Sequence, residues 1–240
     1  MPTLTRTMIG VAAFGLVACG AEPAVEPTEY DDVAQMLASS VTSDADGGLR
    51  GAIDDALMLA FGEVPAGFGF DRFGWASGRH GDATYKYRLT CADVTGRTLS
   101  VCDATTDSAT VVAAWYGVTH AVAYDHRFNR AAIWHFEHLQ TPMGTITGVN
   151  GLAAQATFGV IGKPASYTLT TTFDERYLLD NETREVKGAD LTADLAVTRN
   201  GERFEIAALI TLDMGARSAA IELDGDQVRR VNLDTSFPGE

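Results

Sequence analysis

Hydrophobic positions recur at two periods along this 240-residue chain, and the change falls near residue 80. Between Tyr30 and Ser43, Val33, Met36, Leu37 and Val41 return at three- and four-residue spacing, with Asp31 and Asp32 in the first turn. That is the pattern of an amphipathic helix with acids at its positive end. After Asp46-Gly47-Gly48 the residues Leu49, Ile53, Ala56, Leu57 and Ala60 repeat the spacing to about Phe61, where Gly62 and Pro65 end it. The spacing therefore predicts a helical pair over 31–62.

Beyond residue 80 the period falls to two. Leu191, Ala193, Leu195 and Val197 alternate with polar neighbours, as do Phe204, Ile206, Ala208, Ile210 and Leu212, which predicts strands wet on one face and packed on the other. Asn150-Gly151, Asn200-Gly201 and Asp224-Gly225 are favoured in tight hairpin turns, because both central residues take positive φ. Thr110 to Val118 is apolar at nearly every position, predicting a central strand covered on both faces. The expected fold is mainly β, an α+β arrangement. A long antiparallel meander over 80–235, curved or partly closed into a barrel, carries the helical pair against it.

Residues 1–18 change the picture of where such a domain sits. One cation, Arg6, precedes an apolar run from Met8 to Ala18, too short for the roughly 20 residues of a spanning helix and of the length of a signal peptide. It ends in Leu16-Val17-Ala18-Cys19, which resembles the lipobox of bacterial lipoproteins. The resemblance implies removal of residues 1–18, lipid on the Cys19 sulfur and attachment to a membrane through acyl chains. Gly20 stands where an Asp would signal inner-membrane retention, so the resemblance implies the outer membrane of a bacterial cell envelope. Residues 19–30 hold Pro23, Pro27, Glu22, Glu26 and Glu29, the composition of an extended acidic tether. Residues 31–240 then read as one domain.

Charge and cysteine content narrow the field. Without residues 1–18, and so without Arg6, 17 Lys and Arg face 32 Asp and Glu, a net charge of about −15; nucleic-acid phosphates need clustered cations, so nucleic acid is excluded as a partner. Lipidation uses Cys19 and leaves Cys91 and Cys102. A turn-prone stretch between β-prone flanks separates them, so a disulfide across a hairpin is expected; two free thiols or half of a metal site are the alternatives.

No signature of a nucleophile elbow, phosphate loop, zinc helix or dinucleotide fold is present, and no cofactor is expected. Two polar groups warrant weighing. His135 and Glu137 share a strand face, with His126 expected across a short turn around Asn129 and His138 nearby, the ligand types zinc takes. Ala132, Trp134 and Phe136 on the other face read as core, so a polar surface pair without metal is the expectation. Asp103, Asp107 and Ser108 offer oxygens for Ca²⁺, but backbone bonding at a turn explains them more simply. An aromatic group, Phe68, Phe70, Phe73 and Trp75 among glycines, either plugs one end of a barrel or, where uncovered, marks a ligand or partner surface.

With Cys102-Asp-Ala-Thr-Thr-Asp-Ser, the lipobox, the two helices and the Cys91 pairing, the chain resembles lipoproteins of myxobacterial type that have no assigned activity. The resemblance implies the anchor and a β-rich domain and brings no catalytic residue. Two readings follow: a non-enzymatic envelope lipoprotein acting as scaffold or interaction module, whose partner is another envelope protein, or a carrier holding an acyl chain or other apolar ligand in a half-barrel. The carrier needs an open apolar cavity of several hundred Å³ and the scaffold a filled core.

Overall fold

The computed structural model describes residues 25, 27–42, 47–120, 124–158 and 165–232. The lipobox, Cys19 and the tether up to residue 24 lie outside the described residues. Among the described residues eleven strands follow two helices, and every strand pairs antiparallel with the next in the order β1 to β11. The sheet is an open meander.

Helix α1 is Pro27–Thr42 and α2 is Leu49–Ala60. Proline suits the first helical position, where its missing N–H has no partner to lose, so residues 27–30, expected in the tether, belong to the helix. The periodic residues of both helices face the core: Val33, Met36, Leu37, Val41, Leu49, Ile53, Ala56, Leu57 and Ala60 are all buried. Gly62, at φ 80°, turns the chain out of α2.

The sheet comprises β1 (Gly69–Phe70), β2 (Ala76–His80), β3 (Ala83–Ala92), β4 (Ser108–His120), β5 (Tyr124–Glu137), β6 (Met143–Phe158), β7 (Ala165–Asp180), β8 (Glu185–Arg199), β9 (Glu202–Asp213), β10 (Ser218–Leu223) and β11 (Gln227–Asn232). Asn200-Gly201 and Asp224-Gly225 form turns with both residues at positive φ, as expected. The Asn150-Gly151 expectation is overturned. This pair lies inside β6, opposite Ala132 and Ala131 of β5 and Phe173 and Thr172 of β7. Inward parity runs unbroken through Ile146, Asn150, Leu152, Ala154 and Phe158, so the buried face, worth more than a local turn preference, sets the register.

Both helices cover the same side of the sheet, and Arg130 ties α1 down. Its Nη1 donates to the Ser40 carbonyl at 2.7 Å, supplying at the C-terminal end the positive charge that α1's own last turn lacks. Trp115 Nε1 donates to Gly47 O at 2.9 Å just before α2. The far side of the sheet is open to solvent, which corrects the expectation for Thr110 to Val118. Val112 is 39% exposed and Tyr116 56%, and Val112, Ile133 and Val149 form a row across β4, β5 and β6. The apolar residues there belong to a one-sided sheet.

The chain enters the domain at one end. Near the start of α1, Arg199 donates to Glu29 at 3.0 Å, Tyr30 to Asp224 at 2.7 Å and Arg229 to Asp31 at 2.6 Å, joining it to the end of β8 and to the β10–β11 turn. The turns β5–β6, β7–β8 and β9–β10 and the β3–β4 loop lie at the opposite, distal end.

Candidate functional site

At the distal end the loop after α2 and the loop after β3 build a groove. The Asp71 carboxylate accepts from the backbone N–H groups of Phe73 and Trp75 at 2.8 and 3.0 Å. With Gly74 at φ 79°, this Asx turn fixes a tight loop over residues 71–75. Opposite it, Asp93 accepts from Thr95 and Arg97 N–H groups. The expected Cys91–Cys102 disulfide is formed, with Cα atoms 5.4 Å apart, and draws the end of the β3–β4 loop back onto β3. The groove between these loops has a volume of about 510 Å³.

The four aromatic residues, read as either a plug or an uncovered surface, are divided by the fold. Phe70 and Phe73 are 60% and 65% exposed and line the groove. Trp75 is half-buried, as is Phe68, whose ring lies 5.3 Å from that of His80 and 5.9 Å from that of Tyr87. Phe68 can lie there because Gly78 has no side chain; a Cβ on Gly78 would come within 2.3 Å of the ring. Arg88, Leu89, Ser100 and Val101 complete the lining together with Leu59 and Glu63. Sequence reasoning missed these, because β3, its loop and α2 converge only in the fold.

Charge in the groove is uneven. Glu63 is held by Arg184, whose guanidinium also stacks over Phe61 at 4.4 Å. Arg72 lies over the Phe73 ring at 4.6 Å. Among the described residues no carboxylate pairs with Arg88. A neighbouring cleft of about 440 Å³ carries Arg50, Arg184, Lys187 and Arg217; Asp54, Glu63, Asp180 and Glu185 pair with the first three, and Arg217 is not free either. That cleft is self-neutralised.

A second polar group is sealed inside. Trp134 Nε1 donates across β6 to Glu175 Oε2 at 2.7 Å, passing over Gly148, where a Cβ would stand 2.2 Å from the Ile133 carbonyl and 2.9 Å from the indole. Asn150 and the Tyr177 hydroxyl sit beside the same carboxylate without reaching hydrogen-bond geometry. Burial pushes Glu175 up, against the lowering pull of the Trp134 N–H and the Arg130 charge. Arg130 lies between the rings of Trp115 and Phe173, 5.4 and 5.8 Å from their centres. No ion pair joins Arg130 to Glu175 among the described residues. The gap between the helices and this region of the sheet holds only about 20 Å³, lined by Val41, Leu49, Ile53 and Tyr177 among others.

The histidine expectation is corrected in part. Asn129 is in the middle of β5, not at a turn, and His126 faces inward, buried, while His135 and Glu137 point outward as expected. One strand cannot bring both faces to one ion. Among the described residues no group of three His, Cys, Asp or Glu side chains is placed to hold a metal. Asp103 accepts from the Thr105 N–H and hydroxyl at 2.8 and 2.6 Å, the local turn bonding expected of it. A pairing that sequence reasoning did not find joins α2 to β2: His80 Nε2 lies 2.9 and 3.1 Å from the two oxygens of buried Asp55, which also accepts from Tyr87 at 3.3 Å. Burial raises Asp55 despite the lowering effect of His80.

Comparison with known protein families, with curated proteins and with solved structures finds no match.

Proposed function

We propose that the protein is a lipoprotein of the bacterial cell envelope, acylated on Cys19 and held at the outer membrane, whose domain is a non-enzymatic interaction module. The observation that carries the module reading is the filled, helix-covered side of the sheet. The protein's own helices occupy it, and the gap lined by Val41, Leu49, Ile53 and Tyr177 holds about 20 Å³, where an acyl carrier needs several hundred. What remains open to a partner lies outside it, on the solvent side of the sheet and at the distal end.

The placement of the chain entry supports this reading. From Cys19 to the start of α1 at Pro27 there are eight residues, which span at most about 28 Å. The longest strands, β6 and β7, have 16 residues each and extend about 50 Å. A domain tethered at the α1 end therefore presents its distal grooves away from the anchoring membrane, where another envelope component can reach them.

The test of the anchor is metabolic labelling with palmitate followed by detergent partitioning. The parent protein is expected to label and enter the detergent phase, and Cys19→Ala to do neither. A Cys19→Ala protein that still labels and partitions would remove the lipoprotein reading. The module reading is tested separately by crosslinking from a photoreactive residue at position 182, on the distal β7–β8 turn, and at position 228, on β11; partner capture is expected from the first and not the second.

A further inference from the structure

The distal groove combines three properties that no other cleft described above shares. Its lining is largely apolar, and part of it is uncovered: Phe70, Phe73 and Val101, the last 73% exposed, line it with Leu59, Leu89 and the disulfide at Cys102. Two large rings left in water side by side, Phe70 and Phe73, mark a surface that something covers. Of its two charged lining residues, Glu63 is neutralised by Arg184, while Arg88 has no carboxylate partner among the described residues. The surrounding segment also reverses the charge of the chain: residues 64–101 carry five Lys and Arg against three Asp and Glu, within a protein of net charge −14.

Size selects the class of occupant. Eleven residues line the groove, where a stable protein interface takes roughly 20–30 per side. A volume of about 510 Å³ falls within the roughly 300–1,000 Å³ of small-molecule sites, which are mostly apolar with a few placed polar groups. A bilayer surface would meet rings standing on a convex tip; here Phe70 and Phe73 share a groove with Leu89, Val101 and Cys102.

We propose that this groove binds a single-chain amphiphilic anion, with its hydrocarbon chain along Phe70, Phe73, Leu89 and Val101 and its carboxylate or phosphate on Arg88. The site lies outside the filled, helix-covered side of the sheet, so the ligand stays partly in water and exchanges readily; Arg88 accepts a carboxylate or a phosphate alike, because both match the guanidinium fork. The inference does not depend on acylation of Cys19.

The experiment uses the full chain carrying Cys19→Ala, so that no acyl group of its own competes. It measures fluorescence of a dansylated fatty acid below its micellar concentration, the matching fatty alcohol, and co-sedimentation with phosphatidylglycerol vesicles. Saturable binding of one fatty acid per chain is expected, about threefold or more tighter than the alcohol. Phe70→Ala and Phe73→Ala should each weaken it about tenfold through lost apolar contact, and Arg88→Gln should bring acid and alcohol to equal affinity. All three side chains are exposed, so each variant is expected to melt with the parent. Equal affinity for acid and alcohol in the parent, or variants that bind as the parent does, would overturn the proposal. Sedimentation with vesicles without binding of the monomeric acid would overturn it in favour of a bilayer surface.

Discussion

Two aromatic groups of this protein meet opposite surroundings. Tyr85, Trp115 and Trp134 lie in series across β3, β4 and β5, with ring centres 6.3 and 5.7 Å apart, fully buried beneath the helices. Phe70 and Phe73 stand in water on a glycine-rich loop. The buried indoles each have an acceptor for their N–H, Gly47 O for Trp115 and Glu175 for Trp134; a buried indole lacking one would carry a desolvation cost. The exposed pair has no polar handle that would suit it to water. Inside, the two indoles were accommodated by matching acceptors, and outside, rings without a polar edge were left uncovered. The inner group therefore accounts for the fold, and the outer group calls for a ligand.

The largest expected effect tests the inner group. Trp115→Ala removes a ring that touches Tyr85, Trp134 and Arg130 and the bond to Gly47, and is expected to cost about 3–5 kcal/mol in urea unfolding. A loss below about 1 kcal/mol would mean that the ring series does not hold the sheet to the helices.

Acid sensitivity should also come from the inner region. Burial, aided by the Arg130 charge, pushes His126 down to about 4. A depressed histidine binds its proton less readily folded than unfolded, so stability is full above pH about 6.5 and falls as the pH drops toward about 4, by about 3 kcal/mol in all. Glu175, raised by burial, acts with the opposite sign, because its ionised form is the disfavoured one. His126→Leu should flatten the decline in urea midpoint between pH 6.5 and 4. An unchanged slope would place the acid sensitivity elsewhere.

The disulfide belongs to the outer region, as a wall of the groove. Closing so short a loop contributes about 3 kcal/mol by chain entropy, so the Cys91→Ser, Cys102→Ser double variant should melt several degrees lower in calorimetry, at about 2–4 °C per kcal/mol for a domain of this size. Its groove should also lose ligand affinity. A variant that melts lower but binds fatty acid as the parent does would separate the staple from the site.

How much of this was legible in the sequence depends on how local each signal is. The helices followed from residues three and four apart, and the late strands from strict alternation ending at Asn200-Gly201 and Asp224-Gly225. Asn150-Gly151 misled because the dipeptide was read without the parity around it: Ile146, Asn150, Leu152 and Ala154 keep one face through the pair, which a turn would have reversed. The solvent side of β4 misled because Val112 and Tyr116 look like core by type, although only one side of the sheet has helices to cover it. Phe70 and Phe73 could be flagged from their neighbours in sequence. Arg88 could not, since its place in the groove depends on a strand, a helix end and a loop that only the fold assembles. His80 and Asp55, 25 residues apart on different elements, are of the same kind.

The smallest expected effect is the sharpest form of the comparison, since it sets neighbours two residues apart against each other. Phe68 faces inward onto Gly78 and packs near His80, Tyr85 and Tyr87, so Phe68→Ala should cost about 2 kcal/mol, below the range for a fully buried ring because its burial is partial. Phe70 and Phe73 face water, and removing them loses little that the unfolded chain does not also lack. The Phe70→Ala, Phe73→Ala double variant should therefore unfold within about 0.5 kcal/mol of the parent, as surface substitutions do, while its fatty-acid affinity falls. The decisive measurement is a urea curve for each variant beside its binding isotherm. A double variant as unstable as Phe68→Ala would make the exposed pair part of the core and leave the groove without its reason for being uncovered.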